Sequence, residues 1–301
     1  MTTGSGTRRP TPPVALTIAG SDSGGGAGIQ ADLVTFAALG VHGASVVTAL
    51  TAQNTVGVAG VHVPPVEFLQ AQLDAVLDDL PVAAVKTGML ATEAVVQAVA
   101  AAAAAGRLPG LVVDPVLVSS TGARLLDPGA ERAYADALFP HALLITPNTR
   151  EAGALVGGTV ATAADARDAA RELGRLGPRW VVVKGGHQVD GPDETTGGGS
   201  PGGASAEAVD IVYESATGAV TELRRPRVAT RNDHGTGCTF AAATAASVAR
   251  GMPVPDALAT AKQFVHEGLV ASADWHLGGG HGPVGKLGAW APSEVLGPVG
   301  T

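Results

Sequence analysis

Gly235-Thr236-Gly237-Cys238 lead directly into a small, apolar run, Thr239 to Ala249, and hold the only cysteine among 301 residues. A glycine-rich turn feeding a helix presents unpaired backbone N–H groups and the positive end of the helix dipole, a place for a phosphate or a developing anion. A thiol at such a terminus is expected to have its pKa pushed down. The stretch therefore offers an anion cradle in Gly235, Thr236 and Gly237 and a base in Cys238. The same residues would also serve as a plain turn followed by a small core side chain.

Other residues suited to the same chemistry are spread along the chain. Gly20-Ser-Asp-Ser-Gly-Gly-Gly-Ala-Gly28 follows the strand candidate Val14–Ala19 and precedes a helix to about Leu39. In an open α/β sheet, ligands bind just beyond such strand ends. Five glycines in nine residues suit close approach to a ligand, and Asp22 brings a carboxylate, which ordinary turn chemistry would also explain. Gln53, in Thr51-Ala52-Gln53-Asn54-Thr55, carries an amide matched to a heteroaromatic ring edge. Asp114, after Leu111–Val113, suits Mg²⁺ or a phosphate-bound water. Asn148 and Glu151 read as a capping box and also as hard oxygen groups for Mg²⁺ through waters. Lysine is scarce, four residues against fifteen arginines, and Lys184 closes the strand candidate Trp180–Val183 ahead of two glycines, as a phosphate clamp would.

The elements that must position these groups alternate. Ser45–Leu50, Val82–Lys86, Leu111–Val113 and Leu143–Thr146 are further strand candidates. Pro64-Pro65 opens a helix through Leu80, and Thr92-Glu93 starts another. Continuous apolar strands alternating with helices predict an α/β protein with a parallel sheet covered on both faces. Asp210–Tyr213 and Val220–Leu223 read as an antiparallel hairpin. One domain over residues 14–286 is expected, with a polar tail at 1–13, a Gly/Ser/Pro-rich insertion at about Asp190–Ala206 and a tail at 287–301.

Composition excludes several classes. With 46% hydrophobic residues, 15% charged and net charge −8, the chain can bury a large core and has no basic cluster beyond Arg224-Arg225 and Arg227, which argues against nucleic acid or acidic membranes. One cysteine fits a reducing compartment. No signal peptide or membrane span is visible, and a cytoplasmic location is expected. No G-x-x-x-x-G-K-[ST], HExxH, GxSxG or paired CxxC occurs, and Ile29 stands where a dinucleotide fingerprint needs its third glycine.

The order of the motifs is more specific than any one of them. TIAGSDSGGGAGIQADLVTFAALG, TALTAQNT, KTGML, DPVLVSSTG, LLITPNTREA, VVVKGGH and HGTGCTFAAA follow one another over roughly residues 14–286. The chain resembles the ribokinase-like superfamily and, within it, the bacterial hydroxymethylpyrimidine/phosphomethylpyrimidine kinases of thiamine synthesis. That resemblance implies a three-layer α/β/α sandwich with a mostly parallel central sheet and a small β lid. It implies ATP and Mg²⁺, and phosphorylation of 4-amino-5-hydroxymethyl-2-methylpyrimidine and then of its monophosphate. It implies that Gly20, Asp22, Gln53, Met89 and Val116 contact the pyrimidine. Lys184, Asn148, Thr236 and Asp114 would serve ATP and its phosphates, Asp114 and Glu151 the metal through water, and Cys238, Gly235, Gly237 and Lys184 the transfer itself. Pyridoxal kinase shares the fold and the cysteine and is the nearest rival. A non-catalytic pyrimidine-binding module would need none of the transfer residues. A homodimer is expected, although the sequence itself carries no oligomeric signal.

Overall fold

Val14–Ala19 is buried at all six positions, the mark of a strand covered on both faces. The computed structural model describes residues 11–117, 130–185 and 207–286. In chain order it contains β1 (Val14–Ala19), α1 (Gly28–Ala38), β2 (His42–Val47), β3 (Leu50–Gln53), β4 (Val58–His62), α2 (Val66–Leu77), β5 (Val82–Thr87), α3 (Glu93–Ala104) and β6 (Val112–Val113). There follow α4 (Ala130–Ala133), β7 (Leu144–Ile145), α5 (Thr149–Val156), α6 (Ala163–Gly174), β8 (Trp180–Val183), β9 (Glu207–Glu214), β10 (Val220–Pro226), α7 (Thr236–Ala249) and α8 (Val254–Ala271). The expected insertion at 190–206, the tail at 287–301 and residues 1–10 lie outside the described residues.

Eight strands form one sheet in the order β10-β9-β8-β7-β6-β5-β1-β2. From β8 to β2 all neighbours are parallel, and the β9–β10 hairpin adds two antiparallel strands at one edge. Successive side chains in a strand point to opposite faces, and the core divides accordingly. Leu16, Ile18, Val85, Val113, Ile145, Val181 and Val183 pack under α2, α3, α5 and α6. Ala15, Ala84, Val112, Leu144 and Val182 pack under α1, α7 and α8. The alanine-rich sequence of α7 lets it lie close on the sheet, with ten of its fourteen residues buried.

The expected strand Ser45–Leu50 is shifted and split. β2 ends at Val47. Thr48 then donates its N–H to Ala19 O (3.0 Å) and its hydroxyl to Met89 O (2.6 Å), turning the chain off the sheet. Leu50 is exposed and starts β3, which pairs antiparallel with β4 as a separate two-stranded flap. The stretch read as a loop, Thr51–Gln53, is thus half of a small β lid.

One polar link crosses the α7 side of the core. Lys86 on β5 and Asp32 on α1 form a 2.8 Å ion pair with both side chains fully buried, and Thr17 on β1 donates to the same Asp32 oxygen at 2.6 Å. Burial alone would lower the Lys86 pKa. Asp32, with Cys238 and Asp114 beyond it, more than offsets this and holds it above the usual lysine range. Removing one partner of a buried pair costs about 3–5 kcal/mol because the other charge is stranded. Lys86→Met is expected to lose that much stability, and Lys86→Met/Asp32→Leu to regain most of it, as measured by equilibrium urea unfolding. A single-variant loss below about 1 kcal/mol, the scale of a surface bridge, would refute the assignment.

Candidate active site

β1 hydrogen-bonds to β2 on one side and to β5 on the other, so the loops leaving β1 and β5 diverge and open a crevice at their carboxyl ends. Gly20 N donates to Met89 O (3.2 Å), and a Cβ on Gly20 would collide with the Met89 methyl group. Met89 packs with Ala49 and Ala91, and Val116 closes against them. Gly20, Met89 and Val116 thus converge on one apolar patch. Ala91, at φ 62, is the only non-glycine with positive φ among the described residues, a backbone strain held at this patch.

The flap lies along the glycine loop. Ser23 Oγ donates to Gln53 O and accepts from Gln53 N, both at 2.8 Å. Thr51 donates its N–H to Ser21 Oγ at 3.2 Å and its hydroxyl to Ser21 O at 2.9 Å. The half-buried Gln53 has its backbone fixed by these bonds. Its side-chain amide makes no hydrogen bond among the described residues, which leaves both its donor and its acceptor for a ligand.

Asp22, expected to contact the substrate, is bonded within the protein. It is 2% exposed, and its carboxylate accepts from the amides of Gly24 (2.8 Å), Gly26 (3.1 Å) and Ala27 (2.9 Å) and meets His234 Nε2 at 2.8 Å. Its acceptor capacity is spent on the loop. Burial would raise its pKa, but His234 and the amides of Ala27 and Gly24 outweigh that and hold it below the usual carboxylate value.

His234 precedes the cradle. Gly235 caps α7 in the left-handed conformation (φ 82), where a Cβ would strike Gly26 O. Thr236 N donates to Asp233 O and Thr239 N to Gly235 O. The N–H groups of Gly237 and Cys238 have no partner among the described residues. A Cβ on Gly237 would lie 3.1 Å from Lys184 Nζ and 3.8 Å from Asp114 Oδ2, so the missing side chain leaves the helix end open to both charges.

Lys184 reaches from β8 across β7 to Asp114, donating to Oδ1 at 2.7 Å, and Thr146 donates to the same oxygen at 3.0 Å. Asn148 and Glu151 complete the expected capping box, with reciprocal bonds of 2.9 and 2.8 Å. Asn148 Oδ1 is occupied by that cap, which leaves its side-chain NH2 outside the two bonds. Burial pushes Glu151 up to about 7; Lys184 pulls it down, and Asp114 adds to the rise. Two neighbouring carboxylates, one held against ionisation, are hard donors suited to a divalent cation bound largely through water. No cluster of three or more His, Cys, Asp or Glu side chains occurs among the described residues, so such an ion would depend on water and on its ligand's phosphates.

The expected lowered pKa of Cys238 is corrected. Burial pushes the thiol above its usual value. Lys86 pulls it down, Asp114 and Asp32 push it further up, and the Gly28 amide gives a smaller downward pull. The helix-terminal position predicted a thiolate, but the dense protein around the sulfur and two nearby carboxylates outweigh it.

Sequence reasoning missed His234, Lys86, Asp32 and Lys286. The scarcity of lysine was the available signal, because all four lysines prove to be buried or nearly so. No helix among the described residues is long and apolar enough to cross a membrane.

Comparison with known proteins agrees with this geometry. A family model described as phosphomethylpyrimidine kinase matches residues 22–285. A hydroxymethylpyrimidine/phosphomethylpyrimidine kinase of Rhizobium meliloti is 44% identical over 92% of this chain and 98% of its own. The thiamine biosynthesis bifunctional protein ThiED of Geobacter sulfurreducens is 46% identical over 90% of this chain, which spans only 52% of that longer protein. The pyridoxal kinase of Staphylococcus aureus, solved with AMP-PCP and pyridoxal, superposes with a TM-score of 0.80 at 32% identity, over 95% of this chain and 96% of the other. With its glycine loop, flap and cysteine-bearing helix end on the ribokinase-like sheet, the chain belongs to the phosphomethylpyrimidine kinase family.

Proposed function

We propose that the protein is an ATP-dependent kinase that phosphorylates 4-amino-5-hydroxymethyl-2-methylpyrimidine and then its monophosphate, in thiamine biosynthesis. The observation that carries this is the convergence of unpartnered Gly237 and Cys238 amides with Lys184 at one helix end, beside an apolar patch rimmed by the free Gln53 amide. The ring lies on Gly20, Met89 and Val116, and Gln53 reads its aminopyrimidine edge. Asp22 serves the substrate indirectly, by shaping the loop.

In the first step the hydroxymethyl oxygen gives its proton to Cys238 and forms a bond to the γ-phosphorus of ATP. The bond from that phosphorus to the β,γ-bridging oxygen breaks, and ADP leaves with the electron pair. Lys184 and the amides of Gly237 and Cys238 bear the charge on the moving group, which is most of what phosphoryl transfer asks of a protein. Asn148 fixes the segment beside the phosphates. Mg²⁺, held by Asp114 and Glu151 through water, would supply further neutralisation of phosphate charge. In the second step the acceptor is a phosphate oxygen, already anionic, and needs no base.

The pyridoxal kinase of Staphylococcus aureus makes the other vitamer the natural control. ATP consumption with the aminopyrimidine, its monophosphate and pyridoxal separates the readings, and turnover of pyridoxal alone would overturn ours. Leaving a polar ring edge unpaired in a closed site costs roughly 1–3 kcal/mol. Gln53→Ala should therefore raise KM for the pyrimidine about 5–100-fold with KM for ATP unchanged; equal effects on both would remove Gln53 from ring recognition.

A base with a raised pKa is mostly protonated at neutral pH, and its active form appears only as pH rises. The first step should therefore keep accelerating with pH up to and past the ordinary thiol range, while the second does not follow. Cys238→Asp should move that rise down into the acidic range, and Cys238→Ser should slow the first step by about 10²–10⁴. Identical pH profiles for both substrates would assign Cys238 to cradle geometry alone.

The protein works as a homodimer. The flap and the start of α2 expose Leu50, Val56, Val61 and Phe68, at 49–69% each, an apolar face suited to a second copy. Sedimentation should give a dimer that Val56→Asp weakens, and a wild-type monomer would end this reading.

A further inference from the structure

The four lysines divide three to one. Lys86, Lys184 and Lys262 each donate to a buried carboxylate, of Asp32, Asp114 and Asp210, at 2.7–2.8 Å. Lys286 does not. It is 8% exposed and donates only to two carbonyls, Gly26 O at 2.9 Å and Val284 O at 3.2 Å. An ammonium has three donors, so one N–H remains without a partner among the described residues. A buried charge that no carboxylate contacts is costly, and such an arrangement suits an anion that is present only part of the time.

Its position indicates which anion. Gly26 O, the atom Lys286 holds, is the atom that a Cβ on Gly235 would strike, so the ammonium stands one carbonyl away from the first turn of α7. It is thus on the glycine loop, whereas Lys184 reaches the cradle from β8. Lys184 is committed to Asp114 and the donor phosphates. Resting on the functional reading above, we infer that Lys286 is the cation that holds the phosphate of the monophosphate acceptor, and so the residue that admits the second phosphorylation. In that step a phosphate oxygen of the acceptor forms the new bond to the γ-phosphorus, ADP departs with the bridging oxygen's electron pair, and no proton is moved. What changes between the two steps is the dianionic group that must now be held near Cys238 at the open end of α7. The chemistry agrees: burial lowers the Lys286 pKa and outweighs the titratable groups that face it, Cys238, Asp32 and Asp22, which act to raise it, as a bound phosphate would.

Lys286→Gln tests this, because its amide can keep both bonds to carbonyls while losing the charge. Calorimetric titration of the alcohol and of the monophosphate, without ATP, is compared between wild type and variant, together with steady-state kinetics. The expected result is at least a tenfold loss of monophosphate affinity and a matching rise in its KM. Alcohol affinity, first-step kcat and KM for ATP should stay within about twofold. Equal losses for alcohol and monophosphate would show a purely structural clamp and overturn the inference, as would no loss at all. Melting temperatures are read in parallel. If Lys286→Gln does not fold, the salt dependence of wild-type binding decides, since only the monophosphate should weaken as ionic strength rises, and equal slopes overturn the inference. Failure of the wild type to phosphorylate the alcohol would instead refute the functional reading itself.

Discussion

The carboxylate of Asp22 is the point on which the site is assembled. Three amides of the glycine loop and the ring of His234 converge on it, so one buried anion sets the curve of the loop after β1 and ties that loop to the residue preceding the α7 cradle. The two segments are 212 residues apart in sequence. The contact is close enough that a Cβ on Gly26 would collide with the His234 ring and one on Gly235 with the Gly26 carbonyl. Glycine is required at these positions by interlocking, and in Gly235 also by a positive φ. Because the Asp22 pKa is depressed, the negative form that makes this lock persists well into the acidic range.

From that point the electrostatics follow a consistent geometry. The carboxyl ends of β6, β7 and β8 carry Asp114, Thr146 and Lys184, joined in one hydrogen-bonded group, and the amide ends of α7 face them. β1, β5 and the flap supply the apolar patch and the amide edge. On the proposed function, a ring with a reactive arm meets the second set and a polyphosphate the first. The sheet's topology forces this division, since the connection reverses between β1 and β5, and the loops there have room to hold a flat ligand.

Much of this was legible in the residues. Val14–Ala19 and Trp180–Val183 read as strands at their observed limits, and Thr92 and Asn148 as caps, because apolar continuity and capping chemistry are local. The flap was not placed, because whether Leu50 continues β2 depends on Thr48 bonding to Ala19 and Met89, partners far along the chain. The sign of the Cys238 shift was misread for a related reason. The helix terminus is a local feature, but the burial, Asp114 and Asp32 that outweigh it come from other elements. The bond between Asp22 and His234 was not legible, because nothing in the neighbourhood of Asp22 announces a partner 212 residues away. Sequence pattern reveals which groups a site contains; which of them are free to meet a ligand depends on long-range hydrogen bonding.

A raised thiol pKa is compatible with a kinase because of how little base the reaction needs. With a loose transition state, negative charge is already spread over the transferring group before the new bond is strong. Proton loss from the alcohol can come late, to a thiol environment whose basicity is high for the same reason that its resting thiolate fraction is low. Strong desolvation around Cys238 thus exchanges population for proton affinity. The nearby Lys86, held charged by Asp32, limits how far that exchange goes. The same burial makes any unpaired cation on this side of the cradle effective toward an anion, because field strength grows as water is excluded. On the proposed reading such a site serves an alcohol and an anion in turn: the alcohol draws on the sulfur, and the anion on the positive charges and amides around it.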